Sequence, residues 1–153
     1  MLQYHRTTEK EKYMISEWQY EEPYSIYNNI PYMEQMKNQR RFANRQNNYY
    51  SYYDGEKLVG YINLKETESN IFLGVGVHPQ YCGKGYGQQI VKMACELSHK
   101  QYPAKKVAIE VRSWNIRAIK CYEKAGFTIS GPPIVRTTPI GKGEFYYMVE
   151  TLK

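Results

Sequence analysis

The chain has 153 residues, 42% of them hydrophobic and 24% charged, and a formal net charge of +6. That length suits one domain able to bury most of the surface its unfolded form exposes, so a single domain over residues 1–153 is expected. No run approaches the ~18 consecutive apolar residues of a membrane span, and the start, Met1 to Arg6, lacks the apolar core of a signal peptide; no membrane role and a cytoplasmic location are expected.

Leu2 to Arg6 alternates as a first strand. Thr8, with Glu11 three places on, is a capping-box pattern, and Met14, Ile15 and Trp18 give the helix it opens an apolar side, with Pro23 as its end. A second helix is expected from Tyr32 to about Asn44, with Met33, Met36 and Phe42 inside and the arginines outside. The basic cluster Lys37 to Arg45 is short and spaced as the solvated face of a helix, so no nucleic-acid partner is expected. Tyrosine occurs seventeen times against four phenylalanines, and many copies fall in the first half. Their rings can fill a core while each hydroxyl needs water or a partner, which places them at boundaries and cleft walls.

Tyr49 to Tyr53 and Leu58 to Leu64 flank Asp54-Gly55, a hairpin signal. Ile71 to Val77 is a further strand, where Gly74 and Gly76 suggest a bulge or a backbone left open to a ligand. The run from Val75 to Gly87 then leads into a helical stretch, Gln88 to Gln101. Gly83, Gly85 and Gly87 leave the backbone free to take positive φ, and the helix starting there aims unpaired N–H groups and a positive dipole end at one spot. Such a spot is an anion cradle fit for a pyrophosphate. Ile90, Val91, Met93, Ala94 and Leu97 give that helix its apolar side, and Pro103 closes the region.

Cys82, beside the helix start, is placed to tend towards thiolate, although an idle thiol is the default reading. With Cys95 and Cys121 it makes three cysteines, too few and too oddly spaced for a disulfide framework or a zinc site, so no metal is expected. Lys106 to Val111 reads as a strand, Ile116 to Ala125 as a helix stopped by Gly126, and Phe127 to Ile129 and Glu144 to Leu152 as closing strands. Gly131-Pro132-Pro133 and Gly141-Lys142-Gly143 punctuate the last part. The order β, α, α, β, β, β, α, β, α, β, β describes one α/β or α+β domain, a mixed sheet flanked by helices.

Two segments carry a resemblance. The glycine run and the stretch Asn115-Ile116-Arg117-Ala118-Ile119-Lys120-Cys121-Tyr122-Glu123-Lys124-Ala125-Gly126-Phe127 together resemble the GNAT N-acetyltransferase superfamily over roughly residues 70 to 130. The first matches that family's coenzyme A pyrophosphate loop, the second its Asn-X-X-Ala-X-X-X-Tyr-Glu-Lys-X-Gly-Phe segment. The resemblance implies a GNAT fold: a mixed, mostly antiparallel central sheet with a splayed strand pair, flanked by helices. It also implies acetyl-CoA as co-substrate and direct transfer, in a ternary complex, to a primary amine. A small-molecule amine such as a polyamine, amino sugar or amino acid is the expected acceptor, with the aromatic stretch Trp18 to Tyr24 able to wall its pocket; a protein N-terminal amine, or a non-catalytic acyl-CoA-binding sensor, are the alternatives. By analogy with the family, a homodimer is possible in principle.

Residue by residue, the resemblance assigns Val75, Gly76 and Val77 to the splayed strand that pairs with the pantetheine arm, and Cys82, Gly83, Lys84, Gly85, Tyr86, Gly87 and Gln88 to the cradle. Asn115, Ala118, Tyr122 and Lys124 follow from the second motif, Asn115 serving also as a helix cap. Acetyl transfer needs an amine freed of its proton, a polarised thioester carbonyl and a stabilised leaving thiolate. Tyr122 matches the tyrosine whose hydroxyl reaches the cofactor sulfur, and a phenol is protonated at neutral pH; alternatively it is a core tyrosine. Glu110 resembles a glutamate that acts as a base through water, and is otherwise an exposed strand residue. Glu66, Glu68 and His78 are lesser candidates. One departure concerns the loop, which usually opens with arginine or glutamine where this chain has Cys82, with Gln80 two places earlier.

Overall fold

The computed structural model describes residues 1–151; Leu152, the end of the expected last strand, lies outside them. The chain begins with β1 (Leu2–Arg6) and α1 (Glu9–Ser16). Both capping-box bonds are present, Glu11 N–H donating to Thr8 Oγ1 at 3.2 Å and Thr8 N–H to Glu11 Oε1 at 2.9 Å. α1 stops well before Pro23 because Trp18 leaves the helix path to pack its ring 4.8 Å from His78 and 5.8 Å from Tyr61.

The second helix is shorter than its sequence pattern suggests. α2 spans Tyr32–Asn38 and ends at Gln39, whose φ of 53° is left-handed; Arg41–Ala43 forms a separate 3-10 turn. Met33 and Met36 face solvent, and Tyr32, Gln35 and Phe42 are the buried residues. The break has a physical cause. It swings Phe42 onto Tyr49 and Tyr61, with ring centres 4.3 and 5.9 Å away. The fully buried amide of Gln35 accepts from Phe42 N–H and donates to Ile30 C=O and Ser16 Oγ, satisfying backbone groups that the interrupted helix frees.

β2 (Tyr49–Asp54) and β3 (Lys57–Glu66) form the expected hairpin, with Gly55 at φ 64° in the turn. β4 (Asn70–Val77) pairs with β3 in unbroken register from Glu66↔Ile71 to Gly60↔Val77, so its glycines mark no bulge. The sheet irregularity lies instead between Tyr52 and Tyr53. Gly76 is required by packing, since a Cβ there would fall 2.3 Å from the Tyr61 ring. After β4 come α3 (Tyr86–Gln101), β5 (Lys106–Arg112), α4 (Ile116–Lys124) and β6 (Phe127–Ile129).

One strand escaped the sequence reading. β7 (Ile134–Thr138) pairs with β8 (Gly141–Glu150), so Gly141-Lys142-Gly143 belongs to a strand and the turn lies at Pro139-Ile140. β7 has only one neighbour and leaves Ile134 and Val135 exposed, so no alternation of buried and polar residues announces it.

The sheet order is β1-β2-β3-β4-β5-β8-β6, with β7 beside β8 as well. Every pairing is antiparallel except β4 with β5, which is parallel and limited to Asn70–Phe72 against Lys106–Ala108. Beyond Phe72 the two strands part, and the edge of β4 from Leu73 to Val77 has no β5 partner.

Alternation along the strands sorts side chains to two faces. Tyr50, Tyr52, Ile62, Leu64, Ile71, Leu73, Val107, Ile109 and Met148 form the main core with Ile90, Val91 and Ala94 of α3 and Ile119 of α4. On the other face Tyr49, Leu58 and Tyr61 meet Ile15, Trp18, Tyr32 and Phe42 from the segment carrying α1 and α2. Full burial of each Val, Leu, Ile, Phe or Met side chain among them stabilises the fold by roughly 1.5–3 kcal/mol. The result is a sheet between two helical layers, open where β4 and β5 diverge. None of the described helices is long and apolar enough to cross a membrane.

Candidate active site

The gap between β4 and β5 leads to the glycine loop. Gly83 and Gly85 have φ of 78° and 87°, and a Cβ built on either would meet nothing within 4 Å, so the loop is both left-handed and open. Gly85 is the N-cap residue of α3 and no side chain caps it, which leaves the first-turn N–H groups of Tyr86, Gly87 and Gln88 aimed outwards at the positive end of a sixteen-residue helix. No acidic residue occupies that turn. Gly87 is different in kind: it is helical, and a Cβ there would lie 3.1 Å from Cys121 Sγ, so it lets α3 and α4 approach. Lys84 stands exposed in the loop, and Lys124 is exposed in the last turn of α4. The Tyr86 hydroxyl donates to Asp54 Oδ2 at 2.5 Å and ties the helix start to the β2–β3 turn.

Cys82 does not behave as a helix-terminus thiolate. Burial pushes its thiol up, Arg117 offsetting only part of the effect, and Sγ lies 3.6 and 3.8 Å from the carbonyls of His78 and Val77. A partly buried thiol facing carbonyl oxygens is held in its protonated form. His78 is a structural residue: its Nδ1 accepts from Gln80 N–H at 3.1 Å, its ring is wedged between Trp18 and Tyr81, and burial lowers its pKa. Glu66 is bonded to Lys105, and Glu68 is exposed.

From the α4 side, Asn115 does two things. Its Oδ1 accepts from Ala118 N–H at 3.1 Å and so caps the helix, while Nδ2 donates to the Tyr27 hydroxyl at 2.9 Å. Ala118 and Tyr122 pack against the main core. Burial pushes the Tyr122 phenol well above its usual value, with Cys121, Tyr27 and Tyr61 adding to the effect.

Several residues at this gap lie outside the two motifs, among them part of the aromatic stretch Trp18 to Tyr24. The Tyr20 hydroxyl donates to Val77 C=O at 2.7 Å, strapping the segment after α1 across the unpaired end of β4. Tyr20, Glu21, Glu22, Tyr24, Pro79, Cys82 and Arg117 line a cleft of about 320 Å³ beside the loop. Arg117 lies over the Tyr24 ring at 3.9 Å, and Trp114 packs against Tyr24 and Tyr27. The surplus of tyrosines noted in the composition is what could have pointed here.

Glu110 lies on β5 with its neighbours Ile109 and Val111 turned into the main core, so its own side chain takes the other face. There its carboxylate is ion-paired with Arg136 of β7. Val75, Gly76, Val77, the loop Cys82 to Gly85, the first turn Tyr86 to Gln88, and Asn115, Ala118 and Tyr122 are thus brought around one opening, with Glu110 across the sheet.

This architecture has close counterparts among solved proteins. A chimera of Vibrio cholerae spermidine N-acetyltransferase SpeG superposes with a TM-score of 0.75 at 19% identity, covering 97% of this chain and 95% of that one. Aminoglycoside acetyltransferase AAC(6')-Ib in complex with coenzyme A gives 0.74 at 23% identity, again over 97% and 95% of the two chains. In sequence, mycothiol acetyltransferase of Corynebacterium glutamicum is 33% identical over 86 residues, 54% of this chain and 29% of that protein. Aminoglycoside N(6')-acetyltransferase type 1 of Klebsiella pneumoniae is 41% identical over 69 residues, 45% of this chain and 32% of that protein. The chain therefore spans about a third of the length of these curated relatives. The model of the acetyltransferase (GNAT) family matches residues 12–127, from α1 through the cradle and the α4 motif to the start of β6, and the chain belongs to that family.

Proposed function

We propose that this protein moves an acetyl group from acetyl-CoA to the primary amine of a small molecule, by direct attack within a ternary complex. The observation that carries this reading is the parting of β4 from β5 next to an uncapped helix start, with α4, the helix of Tyr122, packed close to that start at Gly87 and Cys121. The residues present fit the coenzyme. Gly83 and Gly85 leave room for a pyrophosphate against the first-turn N–H groups of α3, Lys84 adds a nearby positive charge, and Val75 to Val77 offer an unpaired strand edge to the amides of the pantetheine arm. Bound there, acetyl-CoA supplies the thioester.

The chain's own part is positioning and charge stabilisation. The β4 edge and the cradle fix the thioester relative to the acceptor, which reduces the reaction to an encounter within one site. Tyr122 stays protonated throughout the neutral range because burial raises its pKa. A thiol has a pKa of about 8.5 and a phenol about 10, so full transfer of the phenolic proton to a departing thiolate is uphill, and Tyr122 stabilises that thiolate as a hydrogen-bond donor. Glu110, held in orientation by Arg136, is the group that accepts the amine proton, directly or through a water molecule. Neither step uses Cys82, whose partly buried, protonated thiol is poorly suited to a covalent intermediate.

Isothermal titration with acetyl-CoA tests the reading, run on the protein and on Gly85→Glu, which places a carboxylate and a side chain in the left-handed cradle. Binding by the protein and its loss in the variant are expected, followed by amine-dependent thiol release. Absence of binding at millimolar acetyl-CoA sinks the proposal. Binding without turnover on any amine points to an acyl-CoA sensor instead.

A further inference from the structure

Arg112 is the one charged residue at this site whose burial nothing yet explains. It ends β5, is only 9% exposed, and has no carboxylate partner among the described residues. A buried cation without a counter-charge is costly, and such groups are normally paired. Its position is nevertheless built. The guanidinium lies 4.7 Å from the centre of the Phe145 ring, and Gly143 makes room for it, since a Cβ there would fall 2.3 Å from Arg112 Nη1. Arg136 lies over the same ring at 4.6 Å but is neutralised by Glu110. Two guanidinium groups thus share one aromatic ring, and only one of them has an anion.

The surroundings of the gap are positive as well. Arg41 Nη2 lies 3.5 Å from the Tyr61 hydroxyl oxygen, and Arg117 lies over Tyr24. Arg112 C=O accepts from Asn115 N–H at 2.9 Å, and the Asn115 side chain donates to the Tyr27 hydroxyl, which sets Arg112 beside the opening. Glu21 and Glu22 line the neighbouring cleft, but both are exposed, and Glu22 accepts from Ser25 Oγ. Like charges repel strongly at short range where water is largely excluded, so a polycation is disfavoured beside Arg112.

We infer that the acceptor is an amine that also carries an oxyanion, a carboxylate or a phosphate, and that Arg112 is the residue that binds this group. The inference rests on the acetyl-transfer reading and narrows it, because polyamines and aminoglycosides carry no such group. A planar guanidinium presents two parallel N–H donors to a carboxylate or phosphate, and a ligand anion would supply the counter-charge that Arg112 lacks.

The test is a set of matched amines with acetyl-CoA and thiol-release detection: alanine against alaninamide, phosphoethanolamine against ethanolamine, and spermidine and kanamycin as polycations. The first pair reports a carboxylate and the second a phosphate. The oxyanion-bearing member of at least one pair is expected to have a kcat/KM about tenfold or more above its neutral partner and above both polycations. Arg112→Met should erase that preference through KM while acetyl-CoA titration stays unchanged, the titration also reporting that the variant is folded. If Arg112→Met does not fold, Arg112→Lys, which keeps the charge and loses the fork, should weaken the same preference several-fold. The inference is overturned by a preference for the neutral amines or the polycations, by a preference that survives in the arginine variants, or by failure to acetylate either oxyanionic amine. Failure to bind acetyl-CoA at all defeats the underlying transfer reading first.

Discussion

Tyr122 and Glu110 lie on opposite sides of the opening, and their proposed roles separate in experiment. Tyr122→Phe removes one hydroxyl from a partly buried ring, so acetyl-CoA affinity should hold while kcat falls about 10²-fold. Equal turnover by the variant would remove Tyr122 from the mechanism. Glu110→Gln keeps the shape and removes the proton acceptor, and a loss of about 10²-fold in kcat is expected in steady-state assays at saturating acceptor. Tyr122 and Asn115 were legible in the sequence because both belong to one contiguous motif. For Tyr20 and Tyr27 the sequence showed only an aromatic first half able to line a cleft, and Arg112 carried no signal. Each acquires its place from a partner far along the chain: Val77 for Tyr20, Asn115 for Tyr27, Gly143 and Phe145 for Arg112.

At the scale of elements, β4 is where packing and function meet. Its Gly76 sits against the Tyr61 ring, and Gly76→Ala would put a Cβ 2.3 Å from that ring. Overpacking of this kind costs roughly 1–3 kcal/mol, and because Tyr61 borders the gap, weaker acetyl-CoA binding should accompany the lower urea midpoint. A variant with unchanged midpoint and affinity would show that the ring gives way freely. Most elements were readable from local patterns, including the α1 capping box, the hairpin at Gly55 and the stop of α4 at Gly126. α2 was overextended because Met33 and Met36 mimic an apolar helical stripe, whereas Phe42 is drawn away to Tyr49 and Tyr61 and Gln35 supplies the hydrogen bonds that make the break tolerable. The strand β7 stayed hidden because its apolar side chains remain exposed.

For the whole molecule, the wealth of tyrosine sets a response to pH. Burial raises the phenols of Tyr20, Tyr49, Tyr52 and Tyr122 above the value of about 10 that they have in an unfolded chain. A group with a raised folded-state pKa contributes its full stability below the unfolded value and loses it as pH climbs towards the folded one. The melting temperature should therefore be insensitive to these groups below about pH 10 and fall steeply above it. Tyr52 is fully buried and its hydroxyl has no partner among the described residues, so Tyr52→Phe should both raise the melting temperature at neutral pH and soften the alkaline fall. A variant that melts lower at neutral pH would mean that the hydroxyl is satisfied.

The sequence by itself determined the order of the elements other than β7, the glycine cradle at the start of α3 and the motif that places Asn115 and Tyr122 on α4, because each depends on interactions between residues near one another in the chain. It also carried enough of that pattern to identify the family. Only the tertiary structure decided that β4 and β5 part after three paired residues each, that Tyr20 straps the free edge, that Cys82 is a partly buried thiol, and that Arg112 has no carboxylate partner among the described residues while Arg136 is paired. Those properties depend on burial and on charges contributed by distant segments. Neither quantity is encoded in local spacing, since the same residue types in the same order would behave differently against another neighbour.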